Sequence, residues 1–395
     1  MSVALSTSRD VIARQMRERN RASASFFGRE AGRLAALSRR MADRFERGGR
    51  LLAFGSGPSA SDAQHIAVEF VHPVLVGKRA LPALDLSPAY REWLPAILRP
   101  DDIVVALAPP GGDAALEMAF QHAMAKGALS IALPGTAGDY AVCEPSSDPF
   151  VHQEVIEILC HTLWETVHVF FERRPLQDDG AAASFLYPFL GDKGQPSDEV
   201  LQEVAASIRS KAAVVERLRE QVAAEHSESI SAAVLAMLDR VEAGATILCF
   251  GNGGSATDAT DLAIDLTASA KGYAAVPAIS LACDAAVLTA LANDIGRDAM
   301  FVRQLIAYGR PGDVALAVST SGGSSNIIAA LAEARARGLL TVALVGYDGG
   351  EVLRRRLADH VIVVNSDQIP RIQEVQASIY HVMLDLLEAA RHARD

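Results

Sequence analysis

The sequence predicts an α/β protein of two like domains, each a parallel sheet flanked by helices and related by internal duplication. Three observations carry that prediction. The chain has 395 residues, enough for about two domains of roughly 150–200 residues each. A glycine turn occurs twice: FGSGPSASDAQHIAVEF at 54–70 and FGNGGSATDATDLAIDL at 250–266 share F-G-x-G-x-S-A-x-D-A at the same spacing. Around each turn, short apolar runs alternate with helical stretches in the same order, the pattern of a parallel sheet with crossover helices.

The elements of the two halves answer one another. Each half opens with a long helical stretch, near 8–47 and 199–243. A strand follows, RLLAFG or TILCFG, then the glycine turn and a second helix. LPALDLS in the first half matches VPAISLA in the second, and DDIVVALAPPGGDAA matches GDVALAVSTSGGSSN, an apolar strand entering a glycine turn and a helix. The strands ALSIALPG and LTVALVG come next, and each half closes with a helix beginning H-Q-E (152–154) or I-Q-E (372–374). The stretch that follows the first closing helix has no counterpart, which divides the chain into 1–177, a linker at 178–198, and 199–395. Gly55 pairs with Gly251, 196 residues on, whereas Gln153 pairs with Gln373, 220 residues on. The first half is therefore about 24 residues shorter, and lacks a match for AAVLTALANDIGRDAMFVRQL. On the last helix, Ile372, Val375, Ile379, Val382 and Leu386 follow a 3-4-3-4 spacing that reads as a packing stripe.

Composition narrows the function classes. Half of the residues are hydrophobic and the net charge is −11 without a basic block, which argues against nucleic acid as a partner. The four cysteines form no C-x-x-C, so neither a disulfide framework nor a thiolate zinc site is expected. The first residues lack the apolar core of a signal peptide, and no run reaches the roughly 18 uncharged apolar residues of a membrane span. The expectation is a soluble cytoplasmic protein with no membrane partner.

Two sets of residues carry chemistry. In the second half, Ser319, Thr320, Ser321 and Ser324 lie in STSGGSS, between an apolar strand and a helix. Glycines permit the tight turn, and N–H groups at the helix start suit a phosphomonoester. The alternative is an ordinary serine-rich cap. The loop is not a Walker motif, because the lysine is absent, and G-x-G-x-x-G is not met. The matching APPGGDA of the first half has two prolines without N–H groups and Asp113, which would repel phosphate. There the second set appears: His65 and Glu69 stand four apart on a helix and share a face, as metal ligands or an acid–base pair would, or as a solvated pair. The second half has Asp261 and Asp265 in their places. Gln153 with His161, and Gln373 with His381, occupy matching positions on the closing helices. Residues eight apart on a helix are separated by roughly 12 Å, so one metal is reached by both only with extended side chains; a Gln from one half and a His from the other is equally open.

Together these motifs resemble the sugar isomerase (SIS) domain family, in particular its sedoheptulose 7-phosphate isomerases. CFGNGGSATDA, LANDIGRDAMFVRQ, GRPGDVALAVSTSGGSSNII, ALVGYDGG and RIQEVQASIYHVMLDLLE carry the resemblance in the second half; FGSGPSASDAQHIAVEF and QEVIEILCH carry it more weakly in the first. The resemblance implies two three-layer domains fused in tandem. It implies zinc as cofactor, on the His, Glu, Gln and His types found at His65, Glu69, Gln153 and His161, with Gln373 and His381 at the second-half places. It implies Glu69 as base and His161 or His381 as acid, with Asp265 as base if the second half works alone. Substrate contacts fall on Asn252, Ser255, Asp294 and the serine loop, Ser319 to Ser324. The implied reaction is aldose–ketose isomerisation of a sugar phosphate, a heptulose 7-phosphate first among them. Because the first half holds the metal and acid–base residues and the second the serine loop, a site assembled from both halves is expected. A homodimer would supply four such domains. The alternatives are a degenerate first half, a non-catalytic sugar-phosphate sensor, and a protein-interaction module.

Overall fold

The computed structural model describes residues 2–73, 77–172 and 198–394. The described chain falls into two compact units. The N-terminal unit is Ala22–Ala213; the C-terminal unit joins Met1–Arg21 to Val214–Asp395. The division therefore runs through the first helix, α1 (Ser2–Glu46), and through α6 (Asp198–Glu225), because both are long enough to serve two cores. Within the C-terminal unit, Asn20 Nδ2 donates to the Glu216 carbonyl at 3.1 Å and Arg19 lies 3.7 Å from Asp385. Within the N-terminal unit, Lys211 pairs with Glu165 at 2.9 Å. The expected linker 178–198 lies, apart from Asp198, outside the described residues.

In the N-terminal unit, α1 is followed by β1 (Leu51–Gly55), α2 (Pro58–Val71), β2 (Ala83–Asp85), α3 (Tyr90–Ile97) and β3 (Ile103–Leu107). Then come α4 (Ala114–Ala125), β4 (Leu129–Leu133), β5 (Tyr140–Ala141) and α5 (Pro149–Glu172). The C-terminal unit contains the end of α6, then α7 (Ser227–Glu242), β6 (Ile247–Phe250), α8 (Gly254–Thr267), β7 (Ala278–Ser280), α9 (Ala285–Asp294) and α10 (Ala299–Tyr308). It ends with β8 (Val314–Ser319), α11 (Ser325–Ala336), β9 (Leu340–Gly346), α12 (Gly350–Arg354), β10 (His360–Val364) and α13 (Ile369–His392). The helical stretch expected at 199–243 is interrupted at His226, which ends α6 and precedes α7.

Each unit holds one five-stranded, all-parallel sheet, and the two have the same order: β2-β1-β3-β4-β5 and β7-β6-β8-β9-β10. The central strands β1, β3, β4, β6, β8 and β9 are buried throughout, as strands covered on both faces must be. The likeness of the two units extends to fine detail. Asp102 accepts the Arg50 and Arg99 N–H groups at 2.9 and 2.8 Å; Asp313 accepts those of Thr246 and Arg310 at 2.9 and 2.8 Å. Gly57 and Gly253, at the starts of α2 and α8, have φ of 57° and 58°, a backbone that favours glycine. Before them, a Cβ on Gly55 or Gly251 would strike the carbonyl oxygen of Ser59 or Ser255, so the helix is drawn hard against the strand end.

The strand order decides where a ligand belongs. From β1 the chain moves to one side for β2 and to the other for β3, and from β6 likewise for β7 and β8. Crevices in open α/β sheets form at the carboxyl ends of strands flanking such a reversal. The glycine turns follow β1 and β6; the APPGGDA and STSGGSS loops follow β3 and β8. No helix among the described residues is long and apolar enough to cross a membrane.

Candidate functional site

In the C-terminal unit the serine loop leaves β8 and enters α11, as the sequence predicts. Ser319 Oγ accepts the Gly322 N–H at 3.1 Å, and Ser321 Oγ accepts that of Gly323 at 3.2 Å. Ser324 is the N-cap of α11, but its hydroxyl makes no capping bond. Gly322 has φ 56°, and a Cβ there would meet the Gly349 carbonyl, so the turn closes only with glycine. Ser321 is exposed, and Thr320 and Ser324 are half-buried. Asn252, in the glycine turn, faces this loop: its Nδ2 donates to Asn326 Oδ1 at 3.0 Å and its Oδ1 accepts Asn326 Nδ2 at 2.8 Å. Ser255 is buried in the first turn of α8. Asp294 is exposed at the end of α9, where it accepts Asn293 Nδ2 at 2.7 Å. Just beyond, Arg297 donates to Ser325 Oγ at 2.8 Å, and Ser325 donates to Asp298. This brings a cation to the N-terminus of α11, where the helix dipole also favours an anion.

Behind the loop, α8 and α13 pack together. Asp261 and Asp265 are one turn apart on α8 and both face His381 on α13. His381 Nε2 lies 3.3 Å from Asp265 Oδ2 and 3.9 Å from Asp261 Oδ2. Tyr380 donates to Asp261 Oδ2 at 2.8 Å. All three members of the cluster are buried, and neither Asp265 oxygen receives a hydrogen bond. A hydrogen bond ties this helix to the serine loop: Gln376 Nε2 donates to the Ser319 carbonyl at 3.3 Å. Gln373, expected as a ligand, is buried one turn earlier on the same helix.

The N-terminal unit places a different cluster at the equivalent point. Helices α2 and α5 pack together, so the face of α2 carrying His65 and Glu69 meets His161. His161 Nε2 and His65 Nε2 are 3.2 Å apart, and His65 Nε2 is 3.9 Å from Glu69 Oε1. All three side chains are buried. Burial, with His161 opposite, holds the His65 pKa well below its ordinary value. Burial, with Glu165 adding repulsion, pushes the Glu69 carboxyl up to about 8. This donor set fits zinc. Zn–N bonds of 2.0–2.1 Å in a tetrahedral shell set two nitrogens about 3.3 Å apart, close to the observed 3.2 Å. The Glu69 Oε2 atom, buried without a hydrogen-bond partner, is a further ligand atom in waiting. Gln153 is buried on α5, and its Nε2 donates to Asp62 Oδ1 on α2 at 3.3 Å.

The loop after β3 is occupied by the protein's own carboxylates. Asp113 caps α4, its Oδ1 accepting the N–H groups of Ala115 and Leu116 at 2.8 and 3.3 Å, and its Oδ2 accepting Ser56 Oγ at 2.8 Å. Glu144 accepts the Gly111 N–H. These are the donors a phosphate would need.

Sequence reasoning missed Asp261 as a cluster member, Asn326 as the partner of Asn252, and Arg297. A signal existed for the first: Asp261 and Asp265 keep the four-residue spacing that singled out His65 and Glu69. Arg297 and Asn326 reach their partners through tertiary contacts that spacing does not encode.

Comparison with known proteins bears on both units. The SIS domain family matches residues 212–346. A phosphoheptose isomerase of Pelodictyon phaeoclathratiforme is 46% identical over 176 residues, 44% of this chain and 82% of that protein. One of a Geobacter species is 40% identical over 190 residues, 48% of this chain and 96% of that protein. Among solved structures, the C-terminal domain of glucosamine-fructose-6-phosphate aminotransferase from Francisella tularensis is similar over 97% of this chain and 96% of that one, at a TM-score of 0.58 and 11% identity. This last likeness shows the fold alone.

Proposed function

Because this chain belongs to the SIS-domain family of phosphoheptose isomerases, we propose that it is an aldose–ketose isomerase of a cytoplasmic sugar phosphate, with sedoheptulose 7-phosphate the first substrate to test. One observation supports the reading: in the C-terminal unit the serine loop and a buried carboxylate–imidazole pair are joined through Gln376 on α13. The loop at Ser319–Ser324 takes the phosphate on the α11 N-terminus, and its binding energy fixes the carbonyl end of the sugar. Asp265 removes a C1 proton from the ketose, giving the enediolate. A proton is returned at C2 while O1 and O2 exchange theirs, leaving the aldose; His381 Nε2 is the acid that handles this return. Asn252 and Asp294 hold sugar hydroxyls.

A second reading assigns the proton transfer to Glu69 and His161. It is favoured by the longer reach of Glu, since a misplacement near 1 Å costs about a hundredfold. Zinc held by His65, Glu69 and His161 would supply a Lewis acid to carbonyl and hydroxyl oxygens. A homodimer is the proposed assembly. An isomerase assay over ketose and aldose phosphates of six to eight carbons, with and without chelator, tests the function. Turnover of none of them, with tight binding retained, would instead support a sugar-phosphate sensor.

A further inference from the structure

We propose that the crevice at the carboxyl ends of β3 and β4 in the N-terminal unit binds a small aliphatic polyamine, a chain of methylenes carrying two or more ammonium groups. The inference concerns binding in that unit and holds whether or not the chain isomerises a sugar.

The crevice is a cavity of about 920 Å³, within the range of about 300–1,000 Å³ usual for small-molecule sites. It lies where ligands of open α/β sheets bind, outside the ends of the strands. Its floor is apolar: Ala106 and Ala132 on the strands, Leu116 and Phe120 on α4, and Val142. Three carboxylates line it above that floor, Asp113, Glu117 and Glu144.

Those carboxylates are met by neutral donors. Asp113 takes Ser56 and the first N–H groups of α4, Glu117 takes Gln121 Nε2, and Glu144 takes the Gly111 N–H. Among the described residues none of the three has an ion-pair partner; Arg91 acts on Asp113 only from beyond that range. The Ser56 hydroxyl holds the Asp113 carboxyl below its ordinary range, so it is charged at neutral pH. His152 adds no compensating charge. It is 3% exposed, and burial keeps its pKa below the usual value. Its Nε2 donates to the Ala108 carbonyl of the cavity wall at 3.2 Å, since a carbonyl can only accept, and Glu144 acts on the same ring. Nδ1 is then a buried acceptor that no donor reaches. The unmet demand here is for positive charge and N–H donors, together with an apolar body to cover the floor.

Spacing separates a polyamine from a metal ion. Among the described residues, the groups of three ligand atoms within 4.8 Å of one another lie elsewhere, so these carboxylates do not converge on one point. Separate ammonium groups on a flexible chain can reach them singly, while the methylenes lie on alanine, leucine and phenylalanine.

The test is calorimetric titration of the full chain with spermidine at low and high salt. One spermidine per chain is the expected result. Glu117→Gln and Glu144→Gln are expected to weaken it about threefold each and about tenfold together. Adding Asp113→Asn, which keeps a capping side chain, brings the loss to roughly thirtyfold. Glu220→Gln with Glu228→Gln, an exposed pair in the other unit, removes the same charge and is expected to leave binding unchanged. Hexaamminecobalt(III), trivalent like spermidine and rich in N–H donors but without methylenes, is expected to bind at least tenfold more weakly. Circular dichroism checks that each variant is folded. Absence of spermidine binding, equal losses in the two double variants, or a cobalt complex that binds as tightly as spermidine would each overturn the proposal.

Discussion

The loops after β3 and β8 occupy the same place in two like sheets, yet they are furnished with opposite charge. After β3, Asp113 caps α4 and Glu144 accepts the Gly111 N–H, so the protein's own carboxylates hold the donors. After β8, the matching loop is lined by hydroxyls, and Arg297 stands beside the first turn of α11. The comparison continues one layer deeper, where two imidazoles and a carboxylate in one unit answer two carboxylates and an imidazole in the other. A helix N-terminus is only a place where negative charge is favoured. Whether that charge comes from the chain or from a ligand is decided by a few side chains, while the sheet stays the same.

The sharpest way to break this comparison is to remove each carboxylate in turn. Asp265→Asn is expected to lower kcat by about 10²–10⁴, with KM for the sugar phosphate little changed, while Glu69→Gln stays within tenfold of the parent. The opposite ranking in steady-state kinetics would move the proton transfer to the N-terminal unit. Next in size is the loop. Ser319→Ala with Ser321→Ala removes two hydroxyls that shape it, and KM is expected to rise by roughly 10–100-fold at nearly constant kcat, on the scale of about 1–3 kcal/mol for a lost charged hydrogen bond. An unchanged KM would show that the phosphate docks elsewhere.

Stability gives a third test. Glu69 is raised from 4.5 to about 8 in the folded protein, chiefly by burial. Between those values the folded state binds more protons than the unfolded chain, so stability falls as pH rises through that window. In metal-stripped protein, Glu69→Gln is therefore expected to be more stable than the parent above pH 8, by on the order of 1–3 kcal/mol, and to lose that advantage below about pH 5. Thermal melts across pH read it directly, and a parent protein whose melting point is flat over the window would refute it. The smallest effect is at the filled loop. Asp113→Ala removes the α4 cap and is expected to cost about 1 kcal/mol without altering KM. A change in KM there would mean that both loops handle substrate.

Much of this was legible in the sequence, for identifiable reasons. The repeated glycine turn, the buried parallel strands and the serine loop are local patterns, and they fall where spacing puts them. The edge strands were harder to read. Tyr140–Ala141 is too short to stand out, although His360–Val364 carries a β-branched run that would have revealed β10. The interruption at His226 lies in a stretch whose helical periodicity runs on past it. The unit boundary inside α1 depends on which core each end of a 45-residue helix meets, which periodicity cannot state. The cluster at Asp261 was hidden by substitution: the reading sought the His and Glu of the other half. Gln153 donates from Nε2 to Asp62, one turn before His65 on α2, a tertiary contact that spacing along one helix does not encode.

Gly55 and Gly251 leave no room for even one methyl group between strand end and helix. Mutational drift is thereby confined: the seam must stay bare in both copies, or the first turn of the following helix lifts away. The residues displayed above that seam are under no such restraint. A duplicated chain can thus trade ligands, caps and charges between its halves over time while the joint that presents them is held fixed.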